Sequence, residues 1–310
     1  MSTTTIAVFG ATGNQGGAVV RSLAASSKLA KKVKIQAVTR DPSSDKSKAL
    51  SNIPGGEAVE PIKIDLDSLA SDNADCLKGV DVVFANTNTF EGGPEKEVAR
   101  GKALIDAAKK ANVGLFVWST LPSAKEMSSG KYTEVEHFEA KAKVTEYLKA
   151  SGIKWTALSL GWFAENIPTF HMVQKDGSDA FKVNYSILKP DTKVAWTWVA
   201  SDLGPAAAAV IEAHVTGADA NVFNRIIPAA GYQASMGDFV AAVEKASGLK
   251  GSYVELPPFG NGDIDDMHRL YNDHGLYQGQ TLPDPELVKL GVKFSTIDDV
   301  VKALALPALK

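Results

Sequence analysis

Short apolar runs alternate with longer helical patterns through the first half of the chain. The apolar runs lie at 5–10, 32–40, 58–65, 79–86, 112–120 and 153–160. The helical patterns between them include 15–30, 95–111 and 132–152. Strands that alternate with helices in this way form a parallel sheet with helices on both faces. The alternation therefore predicts a doubly wound α/β fold for residues 1–160.

The composition of the sequence and the length of its helical patterns change after Gly161. Prolines and turn residues become denser there, and the helical patterns are shorter, at 202–214, 235–248 and 296–305. We therefore predict a smaller C-terminal α/β lobe over residues 161–310. We expect this lobe to be partly interleaved with the first part and to carry a substrate or a protein partner.

Composition excludes several classes of protein. The 310 residues include 33 Lys and Arg against 36 Asp and Glu, without a run of five basic residues, so nothing indicates direct nucleic-acid binding. A single cysteine, Cys76, cannot form an intramolecular disulfide, which is typical of a reducing compartment. The N-terminus has no signal-peptide pattern, and no apolar stretch is long enough for a membrane span. We predict a cytoplasmic or nucleocytoplasmic location.

The turn after the first predicted strand is rich in glycine. Gly10, Gly13 and Gly16 follow the spacing G-x-x-G-x-x-G between that strand and the first helix. A helix N-terminus offers unpaired N–H groups and a positive dipole end, and glycine lets a pyrophosphate approach the backbone. The context predicts a dinucleotide-binding turn in a Rossmann-like sheet. A tight structural turn without a ligand is the alternative.

The end of the second strand bears on the choice of dinucleotide. NAD sites usually place an acidic residue there, whereas this chain has Arg40 followed by Asp41. A guanidinium suits a 2′-phosphate through its charge and its fork of donors, so NADP(H) is favoured over NAD(H). Two alternatives stay open: Arg40 is a solvated charge at a strand end, or a shift of one residue puts Asp41 in the pocket.

The chain resembles the NmrA-like family, an atypical branch of the short-chain dehydrogenase/reductase superfamily. The resemblance rests on "VFGATGNQGGAVVRSL", "AVTRDP", "IDLD" at 64–67, "HFEAKAKVTEYLKASGIKWTALSLGWFAENI" at 137–167 and "SDLGPAAAAVIEA" at 201–213. That family includes fungal regulators that bind nicotinamide dinucleotides and a GATA-type transcription factor, and an animal redox sensor that prefers NADPH. Reductases of phenylpropanoids and isoflavones are similar to it.

The resemblance implies roles for individual residues. It places a pyrophosphate against Gly10, Thr12, Gly13, Asn14, Gln15 and Gly16. It places Arg40 at the 2′-phosphate, Asp65 and Leu66 beside the adenine, and Asn86 and Thr87 near the ribose next to the nicotinamide. Lys141 is expected to hold that ribose, and Trp162, Phe163 and Asn166 to lie at the nicotinamide end.

The catalytic pair expected of the superfamily is incomplete here. Its oxidoreductases commonly carry Tyr-x-x-x-Lys on the helix before the sixth strand, which puts both side chains on one helix face. This chain has His137 and Lys141 in those positions. His137 is either a proton donor or a partly buried histidine beside the cofactor. A second match, Tyr185 with Lys189, comes after the sixth strand and just before Pro190, so we do not expect it on that helix.

Ser119 and the segment "NGDIDDMHRLYNDHG" at 261–275 are further candidates. Ser119 matches the position of the superfamily's serine. The segment is rich in Asp and His but lacks the glycine and final Glu of a calcium loop, so we predict an amphipathic helix with a solvated acidic face and no metal.

Two functions remain from the sequence. The missing tyrosine and the similarity to the regulators favour a redox-sensing regulator that binds NADP(H) and acts through a transcription factor or other protein. The alternative is an NADPH-dependent reductase of a small carbonyl or unsaturated compound. Aromatic residues near the small lobe fit a substrate pocket and ordinary core packing equally well; they are Trp162, Phe163, Trp196, Trp198 and Phe259.

Overall fold

The computed structural model describes residues 3–69 and 75–310. Within them, a parallel sheet of seven strands has the order β11-β6-β5-β4-β1-β2-β3. Its strands are β1 (Thr4–Phe9), β2 (Val33–Thr39), β3 (Val59–Lys63), β4 (Val82–Ala85), β5 (Leu115–Thr120), β6 (Trp155–Leu160) and β11 (Arg225–Ala229). The predicted α/β fold with a parallel central sheet is confirmed.

Helices cover both faces of this sheet. The helices of the chain are α1 (Asn14–Ala24), α2 (Asp45–Ala49), α3 (Pro94–Lys110), α4 (Ala124–Met127), α5 (Glu136–Ala150), α6 (Asn166–Thr169), α7 (Gly204–Thr216), α8 (Met236–Ser247), α9 (Gly262–His274), α10 (Pro285–Lys289) and α11 (Ile297–Val300). Helices α1 and α7 pack together on one face, and α3 and α5 on the other. Each pair buries its apolar side against the strands, as parallel sheets require.

The smaller lobe has its own apolar core beside the main sheet. Its strands are β7 (Trp162–Phe163), β8 (Val173–Lys175), β9 (Ala180–Ser186), β10 (Val194–Thr197), β12 (Tyr232–Ala234) and β13 (Lys250–Leu256). They form two small sheets, in the orders β12-β10-β7 and β13-β9-β8. Trp162 and Trp196 are buried with ring centroids 4.4 Å apart, which supports core packing for these two aromatics.

The two parts of the chain share structure. Strand β11 belongs to the C-terminal half of the sequence but pairs with β6 at the edge of the main sheet. Helix α7, also from that half, completes the helical layer over α1. The division at residue 160 stays a prediction.

Several predicted boundaries differ from the observed ones. The first helix ends at Ala24 rather than residue 30, because Ser26 Oγ accepts a hydrogen bond from Leu29 N–H and Lys31 has a φ of 59°. The helix predicted to start at 132 begins at Glu136, since the backbone N–H of buried Tyr132 donates to Ser128 Oγ instead. Pro61 lies on β3, an edge strand of the main sheet, which is where proline is tolerated.

Candidate functional site

A cleft of about 530 Å³ opens at the carboxyl ends of β1, β2, β4, β5 and β6. Ligands of open α/β sheets bind at this edge. The predicted site residues that line the cleft are Gly10, Thr12, Gly13, Asn14, Gln15, Arg40, Asp65, Leu66, Asn86, Thr87, His137, Lys141 and Phe163. Gly16, Trp162 and Asn166 lie outside this lining.

The glycine turn joins β1 to α1 at the base of the cleft. Gly10 has a φ of +70°, a conformation that favours glycine. Gly13 is the N-cap of α1, and the first turn of the helix has neither a side-chain cap nor an acidic residue. The amide groups at this end are therefore suited to an anion from outside the chain.

Gly16 has a packing role. A Cβ on Gly16 would lie 2.4 Å from the Gly10 carbonyl oxygen and 2.7 Å from that of Phe9. Because Gly16 has no Cβ, the first turn of α1 can pack directly against the glycine turn. At Gly13 the nearest atom to a Cβ is the Gly10 carbonyl oxygen at 3.3 Å, so that position is less crowded. The two glycines thus serve the turn differently.

Arg40 lines the cleft just after β2, the strand next to β1. Its Nη1 lies 3.3 Å from Glu91 Oε2, on the segment between β4 and α3. Asp41 does not line the cleft: its Oδ1 accepts hydrogen bonds from the backbone and hydroxyl of Ser43, which lower the pKa of the Asp41 carboxyl. Lys46 adds another cation to the cleft lining. The geometry favours Arg40 over Asp41 as the group that meets a ligand.

Lys141 lines the cleft from α5 and is almost completely buried. Its Nζ donates to Glu97 Oε1 at 2.9 Å, to the Thr87 carbonyl at 3.0 Å and to Asn86 Oδ1 at 3.3 Å. Burial lowers the pKa of the Lys141 ammonium, and the charge of Glu97 opposes that change. All three ammonium donors have partners, so contact with a ribose requires the release of one, and the bond to Asn86 is the longest.

His137 lies one helical turn before Lys141 and also lines the cleft. Its Nδ1 is paired with Asp263 Oδ1 of α9, and the side chains of both residues are largely buried, with 12% and 14% exposed. Phe138 packs edge-on against the imidazole, and Phe90 lies on its other side with ring centroids 5.8 Å apart. The contacts fix the ring, and Nε2 forms no hydrogen bond within the described residues.

Ser119 lies at the end of β5, as predicted, but behind the cleft surface. It is buried, and its hydroxyl donates to Gln15 Oε1 at 2.6 Å. Gln15 lines the cleft and Ser119 does not. The serine therefore positions a neighbour of the glycine turn.

Tyr185, the alternative tyrosine, is on strand β9 and outside the cleft lining. Its hydroxyl accepts from Trp162 Nε1 at 2.8 Å and lies 3.0 Å from His268 Nε2. Burial raises the pKa of Tyr185 well above its usual value. These contacts belong to the small-lobe core, and Trp162 is part of them.

Sequence reasoning missed Glu97, Asp263, Lys46 and Glu91. Glu97 is a fully buried partner of Lys141, 44 residues away in the chain, and Asp263 is a largely buried partner of His137, 126 residues away. The segment 261–275 does form an amphipathic helix, α9, as predicted, but its acidic residues are only partly solvated. Asp265 is buried and accepts from the backbones of Phe259 and Gly260. The signal available in the sequence was the acid-rich composition of 261–275, which does not show that Asp263 faces His137.

In residues 3–69 and 75–310, no group of three or more His, Cys, Asp or Glu side chains could hold a metal ion. None of the helices in those residues is long and apolar enough to cross a membrane.

The model of the NmrA-like family matches residues 2–301. The chain belongs to the NmrA-like family. An NmrA-like oxidoreductase of Aspergillus campestris is 27% identical over 91% of this chain and 86% of its own length. An NmrA-like protein of Dictyostelium discoideum is 28% identical, and an NmrA-like oxidoreductase of Aspergillus flavus is 29% identical. The matches to these two relatives cover 57% and 64% of this chain but 57% and 61% of the relatives, less than two thirds of their lengths.

Solved structures with known ligands share the fold. NmrA, a negative transcriptional regulator solved with NADP, superposes with a TM-score of 0.79 at 20% identity, over 100% of this chain and 98% of its own. The NADPH-dependent quinone oxidoreductase QOR2 of Escherichia coli, solved with NADPH, gives 0.70 at 22% identity, over 97% and 99%. The predicted Rossmann-like architecture is confirmed across the chain.

Proposed function

We propose that this NmrA-like protein is an NADP(H)-dependent reductase of a small carbonyl or unsaturated compound, with His137 as the proton donor. The observation that carries the proposal is the pairing of Asp263 with His137, whose side chain lines the cleft. A regulator that only binds a dinucleotide has no need of an oriented imidazole there. The relatives that are named oxidoreductases support the same reading.

The cleft fits a dinucleotide. The uncapped start of α1 suits the pyrophosphate, and Arg40 with Lys46 suits a 2′-phosphate. The related structures solved with NADP and NADPH support this choice of cofactor. When bound, the reduced nicotinamide supplies a hydride.

His137 supplies the proton that completes the reduction. Asp263 holds the ring through Nδ1, so Nε2 is the nitrogen left to meet a substrate. Imidazole exchanges protons near neutral pH, which suits a general acid. Lys141 is a weaker candidate because its ammonium already donates to three acceptors. We assign Lys141 to positioning Asn86 and the ribose beside it.

Turnover with purified protein tests the proposal. We expect NADPH oxidation with at least one member of a panel of small quinones, enones and ketones. His137→Asn and Asp263→Asn should each lower that rate, the former by about 10²-fold or more, as expected for loss of general acid catalysis. NADPH affinity should stay nearly unchanged in both. His274→Asn, an exposed histidine of the same helix as Asp263, is the matched control.

A redox-sensing regulator is the second candidate. It is favoured by the higher TM-score to the transcriptional regulator NmrA, 0.79 against 0.70 for the quinone oxidoreductase. NADPH binding without turnover on any substrate, unaffected by His137→Asn, would select this candidate. The transcription-factor partner and the cytoplasmic or nuclear location remain predictions of the sequence.

A further inference from the structure

The acidic side chain of Glu91 lies against the cation expected to meet the cofactor. Arg40 presents both terminal nitrogens to it, Nη1 at 3.3 Å from Oε2 and Nη2 at 3.5 Å from Oε1. The two groups face each other as in the two-pronged pairs of arginine with carboxylates and phosphates, but at longer distances. Both Arg40 and Glu91 line the cleft. A carboxylate of the chain therefore sits where an external anion is expected.

The backbone around Glu91 is held in place. Its carbonyl oxygen accepts from Arg100 Nη1 at 2.8 Å, and Arg100 is itself anchored to both carboxylate oxygens of Asp67, at 2.6 and 3.0 Å. The Glu91 N–H donates to the Asn88 carbonyl at 3.2 Å, which closes a turn. The carboxylate is thus positioned by a folded segment, which keeps it close to Arg40.

The ion pair itself is weakly held. The side chains of Arg40 and Glu91 are 71% and 45% exposed, and exposed pairs contribute little to stability. A phosphate dianion can therefore displace the carboxylate from the guanidinium. Displacement leaves Glu91 tethered nearby, where its charge repels that phosphate.

We propose that Glu91 is a specificity-determining residue that competes with the cofactor's 2′-phosphate for Arg40. The inference rests on the proposed binding of NADP(H). Glu91 lowers the affinity for phosphorylated dinucleotides and leaves that for unphosphorylated ones nearly unchanged. It thereby narrows the preference for NADP(H) over NAD(H) that Arg40 and Lys46 would otherwise give.

Calorimetric titration with 2′,5′-ADP and 5′-ADP at low ionic strength tests the proposal on the intact chain. Glu91→Gln should bind 2′,5′-ADP about three- to tenfold more tightly than the native protein, because one repulsive charge and one competitor are removed. Its affinity for 5′-ADP should stay within about twofold. Glu95→Gln is the control, since Glu95 is exposed, lies nearby in the first turn of α3 and forms no ion pair within the described residues.

A double variant identifies the route of the effect. In an Arg40→Ala background, Glu91→Gln should improve 2′,5′-ADP binding by less than in the native background. Native protein that binds both nucleotides while Glu91→Gln leaves their affinity ratio unchanged would overturn this inference alone. So would a loss of 5′-ADP affinity, which would mean that Glu91 binds the ribose hydroxyls. Native protein that binds neither nucleotide would overturn the proposed function as well.

Discussion

At the scale of single residues, the site depends on buried partners that local patterns do not reveal. The helix face shared by His137 and Lys141 was predictable, because four-residue spacing is a local property. Glu97 was not, since it lies in the first turn of another helix, α3, and reaches Lys141 only in the folded chain. It also accepts from the hydroxyls of Thr87 and Thr89. A carboxylate buried this deeply without partners would strongly destabilise the fold, so Glu97 depends on these partners.

Arg40 should decide the choice of cofactor. Arg40→Ala removes one charged donor and leaves Lys46 as another cation of the cleft lining, so NADPH binding should weaken by about 1.5–3 kcal/mol. NADH, without the 2′-phosphate, should bind nearly as before. Fluorescence titration with both nucleotides measures the difference. Equal losses for both would mean that Arg40 acts through the fold, and the preference would then need another residue.

His268 should make stability depend on pH. It is buried, its Nδ1 has no partner within the described residues, and burial lowers its pKa to about 4. The unfolded chain binds that proton nearer pH 6.5, so the neutral histidine's stabilising contribution is complete above 6.5 and is lost as pH falls toward 4.

Urea titrations across this range test the effect. Between pH 6.5 and 4, His268→Gln should lose about 3 kcal/mol less of its free energy of unfolding than the native protein does. The comparison of the variant with the native protein is needed because Asp202 changes the pH dependence of stability in the opposite direction. Burial raises the pKa of the Asp202 carboxyl to about 6. Parallel pH profiles for the two proteins would contradict the assignment.

At the scale of elements, the strands and helices of the first half were largely predictable. Apolar runs and helical periods are local properties of consecutive residues, and their alternation predicts the parallel sheet. The end of α1 was not, because a hydrogen bond to Ser26 competes with the helix. The turn before α1 was recognised by its glycines, yet their separate roles needed coordinates.

Substitutions at Gly13 and at Gly16 should separate an effect on cofactor binding from an effect on stability. Gly13→Val should abolish NADPH binding in a folded protein, because a branched side chain would occupy the approach of the pyrophosphate. Gly16→Ala should lower the free energy of unfolding by about 1–3 kcal/mol, since its methyl would meet backbone atoms. Thermal unfolding and NADPH titration of both variants distinguish these effects. A Gly13→Val variant with native affinity would remove the dinucleotide assignment.

At the scale of the whole molecule, the two halves of the sequence form one structure. The sequence predicted a partly interleaved second lobe, but no local signal indicated that β11 would pair with β6. Such a pairing between distant segments is decided by packing. The contact of His137 with Asp263 has the same origin, because α9 comes from the C-terminal half. A residue of the C-terminal half therefore holds the His137 ring that lines the cleft.

Residues 1–160 alone should not fold. Without α7 and β11, the fragment exposes one side of α1 and one edge of β6. We expect it to be aggregated or largely unfolded, and not to bind NADPH. Circular dichroism and size-exclusion chromatography of the fragment measure this. A soluble, cooperative fragment would show that the first 160 residues are an independent domain.

The place of β11 also has a consequence for how the protein is made. Chains are synthesised from the N-terminus, and β6 leaves the ribosome about 65 residues before β11 does. During that interval the fully buried strand Trp155–Leu160 has an open edge, which is a template for pairing with another nascent chain. Slow translation of the intervening segment would prolong this exposure. We therefore expect the yield of soluble protein to be sensitive to expression rate, even when the finished molecule is stable.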